Sequence, residues 1–206
     1  MKLALRFGVV ILGAGASSRM GRPKLLLPWG KTSVLGHLIA QWKRLGGEQI
    51  GVICAPDEPA MQAELDRLEF PKELRILNPD PTRGMFSSIQ CAARWKSWRT
   101  DLSHWAVALG DQPHLKETTL RTVLQFAGSK PGKICQPIWQ NHRRHPVVFP
   151  AAAFAQLGSA NESDLRTFLE SRTPERAFCD IDDPGLGVDL DLPSDYENAI
   201  AGFRPE

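Results

Sequence analysis

A three-layer α/β/α domain built on a mostly parallel sheet is what the sequence predicts, on three observations. Short apolar runs rich in branched residues (Leu5 to Leu12, Ile50 to Cys54, Leu74 to Leu77, Trp105 to Leu109) are too short for helices and read as buried strands. Amphipathic helical patterns fall between them, in β-α-β-α order. Composition supplies the core: of 206 residues, 42% are hydrophobic and 23% charged, which suits one folded domain over residues 1–206. Right-handed crossovers then give a Rossmann-like sheet.

The first strand, Leu5 to Leu12, runs into a glycine loop. With Lys2 and Arg6 ahead of it and Ala14-Gly15-Ala16 behind, the stretch imitates an export signal. Arg6 interrupts any short charged head, and the apolar run is equally a buried strand, so the chain is expected in the cytoplasm. The first helix places Val34, Leu35, Leu38, Ile39, Trp42 and Leu45 on one face and ends at Gly46-Gly47. A second helix runs from about Met85 through Ile89, Ala92 and Ala93, and a third from about Leu115 through Leu120, Val123 and Leu124. From Lys133 the rhythm changes: strands Ile134 to Ile138 and His145 to Phe149 flank a basic loop, and helices follow near Ala152 to Leu157 and Ser163 to Ser171. This stretch reads as a small inserted lobe. Val188 to Leu192 reads as a last short strand, and Pro193 opens a closing helix through Tyr196 and Ile200.

Several function classes fall away. Twenty-five Lys and Arg against 23 Asp and Glu leave a formal charge of +2, too weak a field for a dedicated nucleic-acid or membrane-surface binder. No apolar run reaches the roughly 18 residues of a spanning helix. The four cysteines, Cys54, Cys91, Cys135 and Cys179, lack C-x-x-C spacing and read as reduced structural thiols.

Parallel α/β sheets bind ligands beyond the carboxyl ends of their strands, so the chemistry is sought after Leu12, Leu109 and Leu190. Leu12-Gly13-Ala14-Gly15-Ala16-Ser17-Ser18-Arg19-Met20-Gly21-Arg22-Pro23-Lys24 is a glycine loop carrying its own cations. Glycines there let backbone N–H groups approach phosphate oxygens, and Arg19 and Lys24 suit the neutralisation of a leaving polyphosphate; a turn with solvated charges is the competing reading. The dinucleotide fingerprint fails at its third glycine, which is Ser18, and Gly30-Lys31-Thr32 lacks the earlier glycine of a P-loop. A second constellation, Gly110-Asp111-Gln112-Pro113, puts an acid directly after an apolar run, placed to hold Mg²⁺ against phosphate or simply to cap a turn. Val188-Asp189-Leu190-Asp191-Leu192 presents two acids on one face of the expected strand, of which Asp189 is preferred to complete the metal site.

Taken together, these residues resemble the MobA-like nucleotidyltransferase family, most closely its molybdenum cofactor cytidylyltransferase branch, over nearly the whole chain. Leu12 to Lys24 is similar to the family's L-A-A-G-x-S-x-R-M-G-x-x-K, and Leu25-Leu26-Leu27-Pro28 and Gly30 continue the fit. Gly84-Met85 with Ser87-Ser88-Ile89 resembles its glycine-methionine turn, Gly110 to Pro113 its metal-binding acid, and Asp189 to Asp195 its closing D-I-D-T-P-E-D, with Leu192 replacing threonine.

The resemblance implies transfer of a nucleoside monophosphate from an NTP to a phosphorylated acceptor, with pyrophosphate leaving. In the branch it most resembles, the donor is CTP and the acceptor molybdopterin carrying molybdenum; GTP on the same pterin comes next. Carried over by position, Leu12, Gly13, Ala14 and Gly15 lie against the nucleotide and Arg19 and Lys24 grip its phosphates. Asp111 with Asp189 hold magnesium, Gly84 and Ser88 enclose base or sugar, and His145 and Arg166 face the acceptor, which the inserted lobe binds. A molybdenum hydroxylase or its chaperone is the implied downstream partner. The sequence departs from the pattern in three places. Gly13 replaces an alanine, R-G-H-P becomes Arg143-Arg144-His145-Pro146, and G-D-x-G-A-R becomes Asn161-Glu162-Ser163-Asp164-Leu165-Arg166.

Elementary chemistry agrees with this reaction type. A phosphate monoester with a second pKa near about 6 is largely dianionic at neutral pH and attacks without a general base. The five histidines show no metal or triad spacing: His37 reads as structural, His104 and His114 as solvated, and His142 and His145 as either acceptor contacts or solvated loop. Two other readings compete, a sugar-1-phosphate nucleotidyltransferase without a hexapeptide-repeat tail and a non-catalytic nucleotide-binding chaperone that delivers cofactor.

Overall fold

The computed structural model describes residues 5–15 and 20–202. In chain order, its strands begin with β1 (Phe7–Leu12), β2 (Pro28–Trp29), β3 (Thr32–Ser33), β4 (Gln49–Cys54) and β5 (Arg75–Leu77). They continue with β6 (His104–Leu109), β7 (Ile134–Trp139), β8 (His142–Arg143), β9 (Val147–Pro150) and β10 (Arg176–Asp180). The helices are α1 (Val34–Arg44), α2 (Pro59–Arg67), α3 (Met85–Arg94), α4 (Glu117–Ser129), α5 (Ala151–Leu157), α6 (Leu165–Glu170) and α7 (Pro193–Gly202).

One eight-stranded sheet runs in the order β10-β7-β9-β6-β1-β4-β5, with β8 paired to β7; β2 and β3 form a separate hairpin. The ladders of β1 with β4, β1 with β6, β4 with β5 and β7 with β10 are parallel. Only β9 and the short β8 run against their neighbours. Because β1 lies between β4 and β6, the chain leaves it toward one side of the sheet and later returns on the other. That is the topological switch point at which open α/β sheets bind ligands.

Side-chain alternation divides the interior into two cores. Val9 and Ile11 of β1, Val52 and Cys54 of β4, and Ala106 and Ala108 of β6 pack with residues of α1, α2 and α4. Val10, Ile53 and Val107 pack on the other face with residues of α3, α5 and α6. Burial on both faces explains why these strands read as continuous apolar runs. Each such aliphatic side chain contributes roughly 1.5–3 kcal/mol on leaving water.

Local signals place the first crossover helix. The Ser33 hydroxyl accepts from the Gly36 N–H at 3.0 Å and caps α1. At the other end Gly46 N–H bonds to Lys43 O and Gly47 N–H to Trp42 O, both at 3.0 Å, so the glycine pair closes the helix as expected.

Four expectations change. Val188 to Leu192 forms no strand: it runs past the sheet's end with no ladder to join, pinned where Leu190 N–H donates to Asp111 O at 3.1 Å. The stretch expected as an inserted lobe is built onto the sheet, since β7 and β9 extend it beyond β6. α2 and β10 had no strong sequence signal; α2 buries only Met61 and Leu65, and β10 is an edge strand with mixed burial. His104 is not solvated but is 3% exposed inside β6, its Nδ1 2.9 Å from Ser103 Oγ, and His114 Nε2 lies 3.0 Å from Gly185 O.

Candidate active site

Two glycines set the floor of the crevice. A Cβ on Gly13 would stand 2.7 Å from Ile53 O, and one on Gly110 would stand 2.6 Å from Leu12 O. Both positions therefore accept no larger residue without moving a neighbouring strand. Gly13 also spends its N–H on Ile53 O at 3.1 Å, so this amide serves the sheet and not a phosphate, contrary to the simple reading of the loop. Among the described residues, nothing stands within 4 Å of a Cβ placed on Gly15.

Above this floor lies a cavity of about 580 Å³. Of the residues singled out from sequence, Leu12, Gly13, Ala14, Gly15, Lys24, Gly84, Ser88 and Asp111 all line it. Arg19 lies outside the described residues. Gly84 has φ +85°, a conformation L side chains resist, and it opens α3. Ser88, 5% exposed, accepts from Asn78 Nδ2 at 2.9 Å, as does Ser87, so Asn78 ties the end of β5 to the first turn of α3.

The charged end of the cavity joins three distant stretches. Lys24 Nζ donates to Asp191 Oδ1 at 2.7 Å and lies 3.4 Å from Asp111 Oδ2. Its side chain is 14% exposed. Asp189 accepts from Gln112 Nε2 at 2.8 Å, which fixes its orientation. Thus both acids of the closing motif reach the site although they do not share a strand face, and Asp191 rather than Asp189 grips the lysine.

Burial pushes the Asp111 carboxyl above the usual range, and the neighbouring Asp189 charge adds to the shift while Lys24 opposes it. Its Oδ1 is buried without a hydrogen-bond partner. An unmatched carboxylate oxygen beside a second carboxylate is the chemistry a divalent cation satisfies. Magnesium is held by one or two carboxylates and takes its other ligands from phosphate and water, so Asp111 and Asp189 fit it.

The two acceptor-side residues are not in the cavity lining. His145, half-buried, has Nδ1 3.4 Å from Val107 O. Burial lowers its pKa, and Asp189 is close enough to act in the opposite sense, so it stands near the acidic cluster. Arg166 is 87% exposed on α6 and pairs with Glu170 at 3.0 Å. Asp164, the acid surviving from the altered motif, accepts from Thr167 N–H at 2.8 Å and caps α6.

Sequence reasoning missed Glu58, Asn78 and Gln112 as individual contributors. Gln112 sits in a motif that was singled out for its acid alone. Asn78 and Glu58 had no local pattern, since each is brought to the site by the strand before it.

A family model described as "MobA-like NTP transferase domain" matches residues 9–177. Among curated proteins, the chain is 30% identical over 123 residues, 59% of its length, to "Bifunctional protein GlmU" of Wolbachia pipientis wMel, of which it covers 27%. The chain thus spans less than a third of the length of the two GlmU relatives it matches. It is 23% identical over 191 residues to "Molybdenum cofactor cytidylyltransferase" of Escherichia coli K12, covering 92% of this chain and 93% of that one. Among solved structures, Rv0371c of Mycobacterium tuberculosis superposes with a TM-score of 0.73 at 23% identity, covering 98% of this chain and 100% of the other. The same protein solved with manganese gives a TM-score of 0.68 at 20% identity over 96% and 99% of the two chains. These superpositions show the shared fold. No helix among the described residues is long and apolar enough to cross a membrane.

Proposed function

This chain belongs to the MobA-like NTP transferase family, and from that premise we propose that it transfers the cytidylyl group of CTP to the phosphate of molybdenum-loaded molybdopterin. In the reaction an acceptor phosphate oxygen bonds to the α-phosphorus, the bond from that phosphorus to the oxygen bridging the β-phosphate breaks, and pyrophosphate leaves with the electron pair. The observation that carries the reading is Lys24, held between Asp111 and Asp191 at the charged end of a cavity lined by the glycine loop. The E. coli relative, matched along 92% of this chain, supports cytidylyl transfer by its name.

Each residue has work suited to its chemistry. Lys24 exchanges carboxylate partners for phosphate oxygens and neutralises charge as the pyrophosphate departs. Arg19, from the same loop, is assigned the same task. The open backbone at Gly15 lets the triphosphate lie close to the chain. Asp111 and Asp189 would hold Mg²⁺, which when bound would draw charge from the phosphate oxygens. No side chain need remove a proton, because the attacking phosphate is already dianionic at neutral pH. His145, beside the acidic cluster and on the far side of β6 from the glycine loop, is assigned to the acceptor, as is Arg166 further along the chain.

A donor and acceptor panel tests this. The protein, Mg²⁺, molybdenum-loaded pterin and each of CTP, GTP, UTP and ATP are incubated, and pyrophosphate is followed. Release dependent on CTP and pterin together is expected; release with a sugar-1-phosphate in place of pterin, or with no pair at all, overturns the assignment.

A further inference from the structure

Glu58 is the one ionised residue at the opposite end of the cavity among its described lining residues. Its Oε2 is buried with no hydrogen-bond partner. Burial pushes its carboxyl above the usual range, against the Ala55 backbone amide, which favours the charged form. A buried acceptor left unmatched costs roughly 1–3 kcal/mol, so this oxygen is set for a donor brought from outside the chain. It is not needed by the helix behind it: Glu58 precedes α2 without making a capping bond.

Topology says which part of a nucleotide arrives there. The order β6-β1-β4 places Asp111, after β6, and Glu58, after β4, on opposite flanks of the glycine loop after β1. Two strand spacings separate those flanks by about 10 Å. That span matches the reach from an α-phosphate to the pairing edge of a pyrimidine. Of the residues that line the cavity, those next to Glu58 in the chain, Ala55, Pro59, Ala60 and Met61, are all apolar, which suits a flat ring with one acceptor beside it.

Building on the nucleotide reading of this cavity, we propose that Glu58 selects the base: its unmatched oxygen accepts from an exocyclic amine on the pairing edge, admitting cytosine and rejecting uracil. Uracil presents a carbonyl oxygen where cytosine presents its N4 amine, so at that ring position the contact changes from a hydrogen bond to two facing acceptors; the N3–H of uracil stands one ring position further along the edge and meets the oxygen only if the base shifts. Sites built around a buried hydrogen bond discriminate strongly against a ligand that cannot make it. Guanine, whose pairing edge carries an exocyclic N2 amine, also satisfies the oxygen. Glu58 therefore sorts amino-bearing bases from uracil and leaves the choice between cytosine and guanine to the walls of the cavity.

Equilibrium binding of CTP and UTP with Mg²⁺ to the full chain, to Glu58→Gln and to Glu58→Asp reads the effect. The unaltered protein is expected to favour CTP by at least about tenfold. Glu58→Gln, whose amide both donates and accepts, is expected to bring the two within about threefold, mainly by tighter UTP binding. Glu58→Asp, which keeps the charge but withdraws it by one methylene, loses CTP affinity without gaining UTP, and carries the test should the Gln variant fold poorly. Equal binding of CTP and UTP by the unaltered protein overturns the inference. So does an unchanged preference in Glu58→Gln, or unchanged CTP affinity in Glu58→Asp, while the nucleotide reading stands. Failure of every nucleotide to bind the unaltered protein removes that reading and this one with it.

Discussion

Lys24 keeps two carboxylates company at one end of the cavity, and its removal takes its positive charge away from Asp111, which already feels the charge of Asp189, and from Asp191. Lys24→Ala and Asp111→Ala are each expected to lower kcat/KM by at least about 10²-fold, since each deletes a group that meets developing phosphate charge. Circular dichroism should show both variants folded, and retention of full turnover in either refutes the assignment. Gly110→Ala tests a different property of the same loop. Its new Cβ would stand 2.6 Å from the Leu12 carbonyl oxygen, a backbone atom that cannot swing aside. A stability loss of about 1–3 kcal/mol in urea denaturation is expected, with activity lost as Asp111 shifts. Lys24 and Asp111 were legible in the sequence because each sits in a motif whose residues are contiguous. Glu58 was not, because nothing in Ala55-Pro56-Asp57-Glu58 distinguishes an acid with one buried oxygen from a solvated one. The role of Gly13 was half legible: a glycine is required, but the constraint comes from the Ile53 carbonyl on the neighbouring strand.

At the scale of elements, apolar periodicity succeeds where one side of a segment is wholly buried. β1, β4, β6 and α1 begin and end within about two residues of their expected bounds, which is the usual uncertainty of element ends. Capping explains the accuracy for α1. Ser33→Ala deletes the bond to Gly36 N–H and is expected to cost about 1 kcal/mol, read as a lowered urea midpoint with unchanged slope. An unchanged midpoint would mean that the surrounding packing alone places the helix. Alternation misleads at Val188 to Leu192. Acid and leucine alternate there as in a strand, yet the physical basis is one fully buried anchor, Leu190, with an acid on each side and a backbone bond to Asp111 O. Segments with few buried residues, such as α2, take their form from the sheet they lie on and leave little trace in local composition.

For the molecule as a whole, buried histidines link stability to pH. Burial lowers the pKa of His37, with the Arg44 charge adding to the effect, and burial also lowers that of His104. Both stay neutral in the folded chain while the unfolded chain takes up protons near about pH 6.5, so stability is complete above that pH and declines as pH falls below it. The raised carboxyls of Glu58 and Asp111 act in the opposite sense, adding stability as pH falls through their raised folded values, so the comparison of the unaltered protein with His104→Gln, rather than the pH difference alone, isolates a histidine. A lower urea midpoint at pH 5.5 is expected, with a smaller difference in His104→Gln; equal midpoints for the unaltered protein contradict the linkage. The three-layer arrangement was legible from the alternation of strands and helices. The strand order was not, because it depends on which long-range ladder forms, and no local pattern records that choice.

The ladder between β6 and β9 is, among the described residues, the sheet pairing that joins strands before Gly110 to strands after it. It comprises four register pairs, from His104 with Pro150 to Val107 with Val147. The sheet therefore has a seam, and its two sides can diversify at different tempos as long as those four pairs, and the helix packing and Lys24–Asp191 contact that also cross it, remain compatible. Recombination between relatives with a junction just beyond Pro113 would preserve each side's internal ladders. It would exchange Asp189 and Asp191 along with what the far side offers to an incoming molecule, while keeping Lys24, Asp111 and β1 together on the near side.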